Sequence, residues 1–444
     1  MPISPARKVA FETLLKIERG HGCSADLIQI GEKRLLKDRD RRLAAEIVLG
    51  TLRWRGELDF QIERLAHRRL KSLDVEVLAA LRMALYQLRF LSKVPRSAAV
   101  NEAVELVKVA RKRSAAGLVN AALRKAPSTL ATKEEIEHSA LRAYPAWLIE
   151  RWRKHFGDAA TRALAWAGVQ TPRTALRVLG GKENIPLIQK ELAAQGIRTR
   201  TGNYSPTALV VESGRIAESA SFMHGRAVIQ DEASQLVVPL LAAQPGQRVL
   251  DIAAAPGIKT SQIAAAMGHG LLVAGDERAR RLRTATRLWP QIGCHGPSPR
   301  WVRLDATRPL PFSGHFDRIL ADVPCSGTGT LARNPDIKWR LRQQDLTRLA
   351  RIQSSVLRHA LPLLAPGGRL VYATCSLERE ENEGVVESTL SRSDNIRRLS
   401  QAEMVGEFPW LASLFDSSGY FHTRPDLHGT DGFFAAVLTR TLQP

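Results

Sequence analysis

Through the first 125 residues apolar side chains recur every three or four positions, and beyond residue 226 they gather into short runs separated by helix-length stretches. Leu78, Leu81, Leu85 and Leu88 share one helical face, with Arg82 and Arg89 turned elsewhere. Pro95 stops that helix and Ser97 is placed to cap the next. There Val100, Ala103, Val104 and Val107 line one side, and Glu102, Glu105 and Lys108 lie off it. Residues 1–130 therefore predict an all-α bundle. Residues 131–225 predict a polar connector, up to about 145, and then a small α+β domain. Its strands lie near 174–179 and 208–211, with a helix over 185–196. From 226 to 444, apolar strands over 248–252, 271–275, 316–323 and 369–373 alternate with helices over 261–267 and 346–364. That alternation predicts an α/β domain on a parallel, doubly wound sheet.

Composition sharpens this picture in one respect. The chain has 444 residues, 44% hydrophobic and 25% charged, the balance of a globular protein too long for one ordinary domain. Its net charge of +21, however, suits a polyanionic partner. Residues 1–130 carry 26 Lys+Arg against 14 Asp+Glu, and the basic cluster Arg111-Lys112-Arg113 lies among them. The helical segment is thus the better candidate for gripping RNA. The plain alternative is a surface whose charge only keeps the protein soluble. Four cysteines, Cys23, Cys294, Cys325 and Cys375, include no Cys-x-x-Cys pair, which argues against a zinc ribbon or a disulfide framework, and no metal is expected. The first residues lack the apolar run of a signal peptide, and the most apolar stretch, 77–91, is broken by Arg82 and Arg89. A cytoplasmic protein with no membrane span is expected.

Candidate chemistry lies in three turns that follow predicted strands. The first is Asp251-Ile252-Ala253-Ala254-Ala255-Pro256-Gly257-Ile258-Lys259-Thr260, an acid and then tiny residues, where backbone approaches a ligand closely and the next helix offers its amino end. It is neither a P-loop, since Ile258 separates Gly257 from Lys259, nor a Gly-x-Gly-x-x-Gly turn. A tight turn with no ligand is the bland reading. Asp276, 25 positions after Asp251, ends the next strand, where doubly wound folds place a carboxylate on ribose hydroxyls. Asp305 ends a third possible strand and would meet an adenine amino group, though an isolated Asp is more often a cap or turn residue.

The other two turns carry cysteines. Asp322-Val323-Pro324-Cys325-Ser326-Gly327-Thr328-Gly329 and Tyr372-Ala373-Thr374-Cys375-Ser376 both sit at carboxyl ends of predicted parallel strands, where open α/β sheets bind ligands. A lone buried cysteine is usually inert. Two of them beside a cofactor turn point to covalent catalysis. Carbon 5 of cytosine is too weak a nucleophile to accept a methyl group from a sulfonium unaided, and a thiolate adding to carbon 6 makes the ring an enamine with density at carbon 5. Asp322 is placed to hydrogen-bond or protonate nitrogen 3, and a second thiol would assist loss of the carbon-5 proton and release of the enzyme. Methylation of exocyclic amines needs no covalent step. Its Asp/Asn-Pro-Pro-aromatic loop is absent, because Cys325 follows the proline.

These blocks resemble the RNA cytosine-C5 methyltransferases of the NOL1/NOP2/Sun family over roughly residues 145–440. Gln230-Asp231-Glu232-Ala233-Ser234, Arg333-Asn334-Pro335-Asp336, Glu381-Asn382-Glu383 and Asp431-Gly432-Phe433-Phe434 agree in order. Pro95 to Val107 and Gly117 to Arg124 resemble the helical RNA-binding domain of the antiterminator NusB. Together they are the architecture of bacterial 16S rRNA methyltransferases. The resemblance implies a NusB-like domain, a small middle domain and a Rossmann-like catalytic domain dependent on S-adenosylmethionine (SAM). It implies that Cys375 forms the covalent adduct and Cys325 assists release. It further implies that Ala253, Ala254, Ala255, Pro256, Gly257, Ile258, Lys259, Asp276, Asp305 and Asp322 line the cofactor and base pocket. The implied partner is 16S rRNA in a small-subunit assembly intermediate, met by a monomer, with cytosine 967 as the target.

Two departures from the family pattern matter. Ala253 replaces a cysteine that contributes mainly backbone, and Ile258 replaces a glycine. A β-branched residue resists positive φ, so Ile258 is expected to shift the loop and weaken cofactor affinity. The competing readings are a tRNA or another rRNA site as substrate, an RNA-binding assembly factor that has lost cofactor binding through Ile258, and a small-molecule methyltransferase.

Overall fold

The structure, a computed structural model, describes residues 3–127, 132–293 and 295–441; Cys294 lies outside them. The chain forms two compact units, Met1–Thr171 with Thr330–Leu341, and Pro172–Gly329 with Arg342–Pro444. Among the described residues no helix is long and apolar enough to cross a membrane.

The first unit is helical. Pro5–Glu18, Ser24–Glu32, Asp38–Ala66, Val75–Phe90, Arg96–Val109 and Ala116–Lys125 form the bundle, followed by Lys133–Ala140 and Ala146–Val169. Ala80, Leu81 and Ala84 of Val75–Phe90 are fully buried, as its apolar stripe predicts. Arg82 is off that stripe and yet buried. Its guanidinium is forked on Asp59 at 2.6 and 3.0 Å and reaches Glu18 at 3.1 Å, which is how a buried charge is tolerated. Glu102 is also buried, accepting from Arg7 Nη1 at 2.8 Å. The expected cap at Ser97 is not formed: Pro95 holds the N-cap position of Arg96–Val109 and no side chain caps it.

Thr330–Leu341, which follows the Cys325 turn in sequence and includes the Arg333-Asn334-Pro335-Asp336 block, belongs to this helical unit. Lys338 is fully buried there. Its Nζ donates to the carbonyls of Arg53 (2.7 Å) and Ala143 (3.0 Å) and lies 4.0 Å from the Tyr144 ring centroid. Burial, with Arg53 nearby, pushes its amine well below the usual lysine range. Trp339 Nε1 donates to Leu52 O (3.0 Å), and Arg53 Nε to Ala332 O (2.8 Å).

The second unit holds two sheets. β1 (Ala175–Val178), β2 (Arg198–Thr201), β3 (Ala208–Ser213) and β4 (Ala227–Ile229) form an antiparallel sheet in the order β2-β3-β1-β4. Its core is Leu176, Val178, Leu209 and the buried face of helix Ile185–Ala194. The larger sheet contains β5 (Arg248–Asp251), β6 (Leu271–Asp276), β7 (Arg300–Arg303), β8 (Phe316–Asp322), β9 (Leu364–Thr374), β10 (Ile396–Arg398), β11 (Phe421–Thr423) and β12 (Phe433–Arg440). Its order is β10-β12-β9-β8-β5-β6-β7, with β11 on β12. β9, β8, β5, β6 and β7 are parallel, the Rossmann-like arrangement that strand–helix alternation predicts.

Both faces of the parallel region are covered, which explains its unbroken apolar runs. Val249, Leu320 and Val371 face one core with Ile263 and Met267, while Leu250, Ile319 and Leu370 face the other with Val356 and Leu357. The antiparallel edge of β10, β11 and β12 has no counterpart among the predicted strands. Parallel pairing then leaves Asp251, Asp276, Asp322 and Thr374 together at one end of the sheet.

Candidate active site

The first turn closes over a fully buried acid. Thr260 Oγ1 donates to Asp251 Oδ2 at 2.7 Å, tying the start of helix Ile258–Met267 to the end of β5. Burial raises the Asp251 carboxyl to about 7, against that hydrogen bond, and the nearby Asp322 adds to the rise. The Ala255–Pro256 peptide is cis. Positive φ falls on Gly257 (102°), where a Cβ would stand 3.2 Å from the Trp301 ring. Ile258 is the first helical residue and is absent from the positive-φ residues. The strain expected at Ile258 is therefore missing, because the preceding glycine makes the turn. Its side chain instead packs against Leu179, Val228 and Ile292. Arg177 of β1, itself buried, donates to Ile258 O (3.2 Å), Ser261 Oγ (2.7 Å) and Gln230 Oε1 (2.7 Å). The small sheet thus braces the turn between β5 and helix Ile258–Met267, a link no sequence motif announces.

Asp276 ends β6 with Oδ1 accepting from Arg278 N at 2.9 Å. Its Oδ2 is buried and receives no hydrogen bond, although Arg281 Nη1 lies 3.2 Å away. A buried carboxylate oxygen short of a donor fits a ribose hydroxyl. Asp305 lies after β7, but its Oδ1 accepts from Thr307 N (3.0 Å) and Oγ1 (2.6 Å) and its Oδ2 meets Arg308 Nε at 3.1 Å. That is an Asx turn, the commoner role for such a residue.

The two cysteine turns come together. Cys325 Sγ and Cys375 Sγ are 3.2 Å apart as free thiols, and Cys375 N donates to Cys325 Sγ at 3.3 Å. The hydrogen bond to Cys375, then burial, raises the Cys325 thiol well above its usual range, so Cys325 keeps its proton. Beside them Lys259 Nζ donates to Asp322 Oδ2 at 2.8 Å and lies 5.1 Å from the Phe433 ring centroid. Burial disfavours the Lys259 charge, but Asp322 outweighs it and holds the amine above its ordinary range.

Glu381, noticed in the sequence only as part of a flanking block, is the hub of these turns. Fully buried, it accepts from Ser326 N (2.9 Å), Gln353 Nε2 (2.9 Å) and Ser376 Oγ (2.6 Å), so one carboxylate spans both cysteine turns. Burial raises its pKa although all three bonds lower it. Asn382 adds two bonds, accepting from Thr374 Oγ1 at 2.6 Å and donating to Ser376 O at 2.9 Å. Asp231 Oδ1 joins two other blocks, accepting from Ala233 N (3.0 Å) and Asp431 N (3.1 Å). Glu381→Ala would leave three buried donors without an acceptor, and is expected to cost about 3 kcal/mol of stability, read as a lower urea midpoint. A loss under about 1 kcal/mol would mean that water replaces the carboxylate. Among the described residues no group of three or more His, Cys, Asp or Glu is arranged to hold a metal ion.

Comparison with known proteins covers the chain in three blocks. Residues 4–127 match the NusB family, 144–217 the ferredoxin-like domain of RsmF/B-like methyltransferases, and 238–439 the family described as 16S rRNA methyltransferase RsmB/F. The chain is 31% identical to the probable ribosomal RNA small subunit methyltransferase B of Bacillus subtilis (strain 168), over 99% of this chain and 100% of that protein. It is 34% identical to the ribosomal RNA small subunit methyltransferase B of Pseudomonas putida KT2440, over 91% of each. Among solved structures, PH0851 matches with a TM-score of 0.80 at 25% identity, covering 99% of this chain and 100% of that one.

Proposed function

Since this chain belongs to the RsmB/F family of 16S rRNA methyltransferases, we propose that it methylates carbon 5 of a cytosine in 16S rRNA, with SAM as donor and Cys375 as nucleophile. The target proposed is the family's cytosine 967, in a small-subunit assembly intermediate met by a cytoplasmic monomer. Residues 1–130 grip the RNA, 131–225 connect and brace, and 226–444 carry the chemistry. The observation that supports this most is the thiol pair, 3.2 Å apart at the ends of adjacent parallel strands and next to the Lys259–Asp322 pair.

Bound SAM supplies an electrophilic methyl group. Backbone from Ala253 to Lys259, the buried Oδ2 of Asp276 that receives no hydrogen bond, and the Asp305 turn are the groups proposed to hold it. The chain's own residues then act on the base. Cys375 Sγ adds to carbon 6, and the displaced π pair makes carbon 5 nucleophilic. As the ring gains density, Lys259 passes a proton through Asp322 to nitrogen 3, and nitrogen 3 returns it by the same route once the methyl group is on carbon 5. After the methyl group is on carbon 5, a water molecule takes the carbon-5 proton, the C–H pair re-forms the carbon 5–carbon 6 double bond, and the carbon 6–sulfur pair leaves on Cys375 Sγ. The Cys325 S–H, aimed at that sulfur, stabilises the departing thiolate.

The test is transfer from methyl-labelled SAM to unmodified 16S rRNA and, in parallel, to a tRNA pool, followed by nucleoside analysis. Label in 5-methylcytidine from rRNA alone is the expected result. Label in tRNA would move the substrate, and no label with RNA binding intact would overturn the activity. The assembly-factor reading depended on a strained Ile258, which takes ordinary helical backbone.

A further inference from the structure

At the end of the large sheet opposite the cysteines lies a cavity of about 520 Å³. His315 precedes the first residue of β8, and Arg440 pairs with Ile396 where β12 ends and β10 begins, donating to Leu364 O at 2.9 Å. The cysteine turns follow the other ends of β8 and β9, and the seven residues of β8 put about 20 Å between the two sites.

The lining is basic and rich in hydroxyls. Arg358, Arg392, Arg440 and His315 converge with Ser388 and Thr389, and no carboxylate lines the cavity. Arg358 and Arg392 are exposed, and their guanidinium groups have no hydrogen bond or ion pair among the described residues. Arg351 continues the same face of helix Gln343–Ala360, two turns or about 10 Å before Arg358. No Phe, Tyr or Trp lines the cavity, so it offers a nucleobase nothing to stack on. Guanidinium forks with hydroxyl donors match phosphate oxygens. Because these cations stand open to solvent instead of being enclosed, the arrangement suits a long polyanion more than a small ligand.

We propose that this cavity is a second RNA site, which takes phosphates of the substrate RNA at a distance from the target base. The proposal rests on the rRNA methyltransferase reading above. It accounts for two unpaired arginines on the catalytic domain, outside the strongly basic N-terminal segment of the sequence.

The experiment measures binding of the full chain to a 16S rRNA fragment across a salt series, for wild type, Arg358→Ala/Arg392→Ala and Arg358→Lys/Arg392→Lys. Two lost phosphate contacts are expected to lower the slope of log affinity against log salt by roughly 1.4 to 1.8 and to weaken binding about tenfold, with the lysine pair keeping the wild-type slope. Turnover on a short hairpin holding only the target loop should not change in the alanine pair. An unchanged slope in the alanine pair, with a wild type that binds and methylates 16S rRNA, overturns the second site alone. A wild type that neither binds nor methylates it overturns the reading beneath. Inorganic triphosphate provides the remaining arm: a melting shift that the alanine pair loses while its RNA slope stays at the wild-type value would make this a small-anion site and refute the proposal.

Discussion

Replacing Cys375 with alanine is expected to reduce methyl transfer by at least about a thousandfold while leaving RNA affinity within about twofold. The thiol is the group proposed to raise electron density at carbon 5, and without it the methyl acceptor is an unactivated aromatic carbon. Little structural cost accompanies the change. Cys375 is only partly buried, and the backbone around it is held by other atoms, with Gly329 N donating to Cys375 O at 2.9 Å and Glu381 fixing Ser376. Single-turnover transfer from labelled SAM, paired with filter binding, separates chemistry from recognition. Retained activity in the alanine variant would remove Cys375 from the nucleophile role and leave Cys325 as the candidate.

Cys325→Ala is expected to show the opposite failure. Its RNA is methylated once and then stays attached, giving a protein–RNA species that survives a denaturing gel. Cys325 Sγ lies 3.2 Å from Cys375 Sγ and keeps its proton, so it is the donor best placed to assist departure of the Cys375 sulfur. Loss of that donor slows the last step and spares the first. Multiple-turnover rates should fall by about a hundredfold or more, while a first-turnover burst remains. The double variant with Cys375→Ala should form no adduct at all. An active Cys325→Ala enzyme with no trapped species on any RNA it methylates would end the release role.

The two alanine variants also separate catalysis from scaffold. Glu381→Ala should destabilise the whole turn region, whereas either cysteine variant should melt near the wild type. A melting loss common to all three would mean that the thiols matter as packing.

How much of this was legible in the sequence follows from how local each feature is. The period of the apolar residues predicts the helices of the first unit and the strand–helix alternation of the second, because burial of one face or two imposes that period directly on the chain. The turn residues of Ala253 to Lys259, Pro324 to Gly329 and Thr374 to Ser376 stand out for the same reason, since a sharp exit from a strand allows few residue types. Sequence alone also placed Cys325 and Cys375 each at a strand end.

Their 3.2 Å approach was decided by pairing β8 beside β9, two strands separated by the helix Gln343–Ala360. Ile258 was misjudged because the sequence does not say which residue of a turn takes positive φ; the fold assigned it to Gly257. Arg82, Glu102 and Lys338 look like surface charges in a linear pattern. Only packed neighbours reveal Asp59 and Glu18, Arg7, and the two backbone carbonyls that satisfy them. The same holds for Glu381, whose three donors come from three separate segments, and for Arg177, which reaches from the small sheet to the turn after β5. Backbone periodicity and turn chemistry are written within a few residues. The satisfaction of buried charge depends on groups far apart in sequence, and tertiary structure alone brings them together.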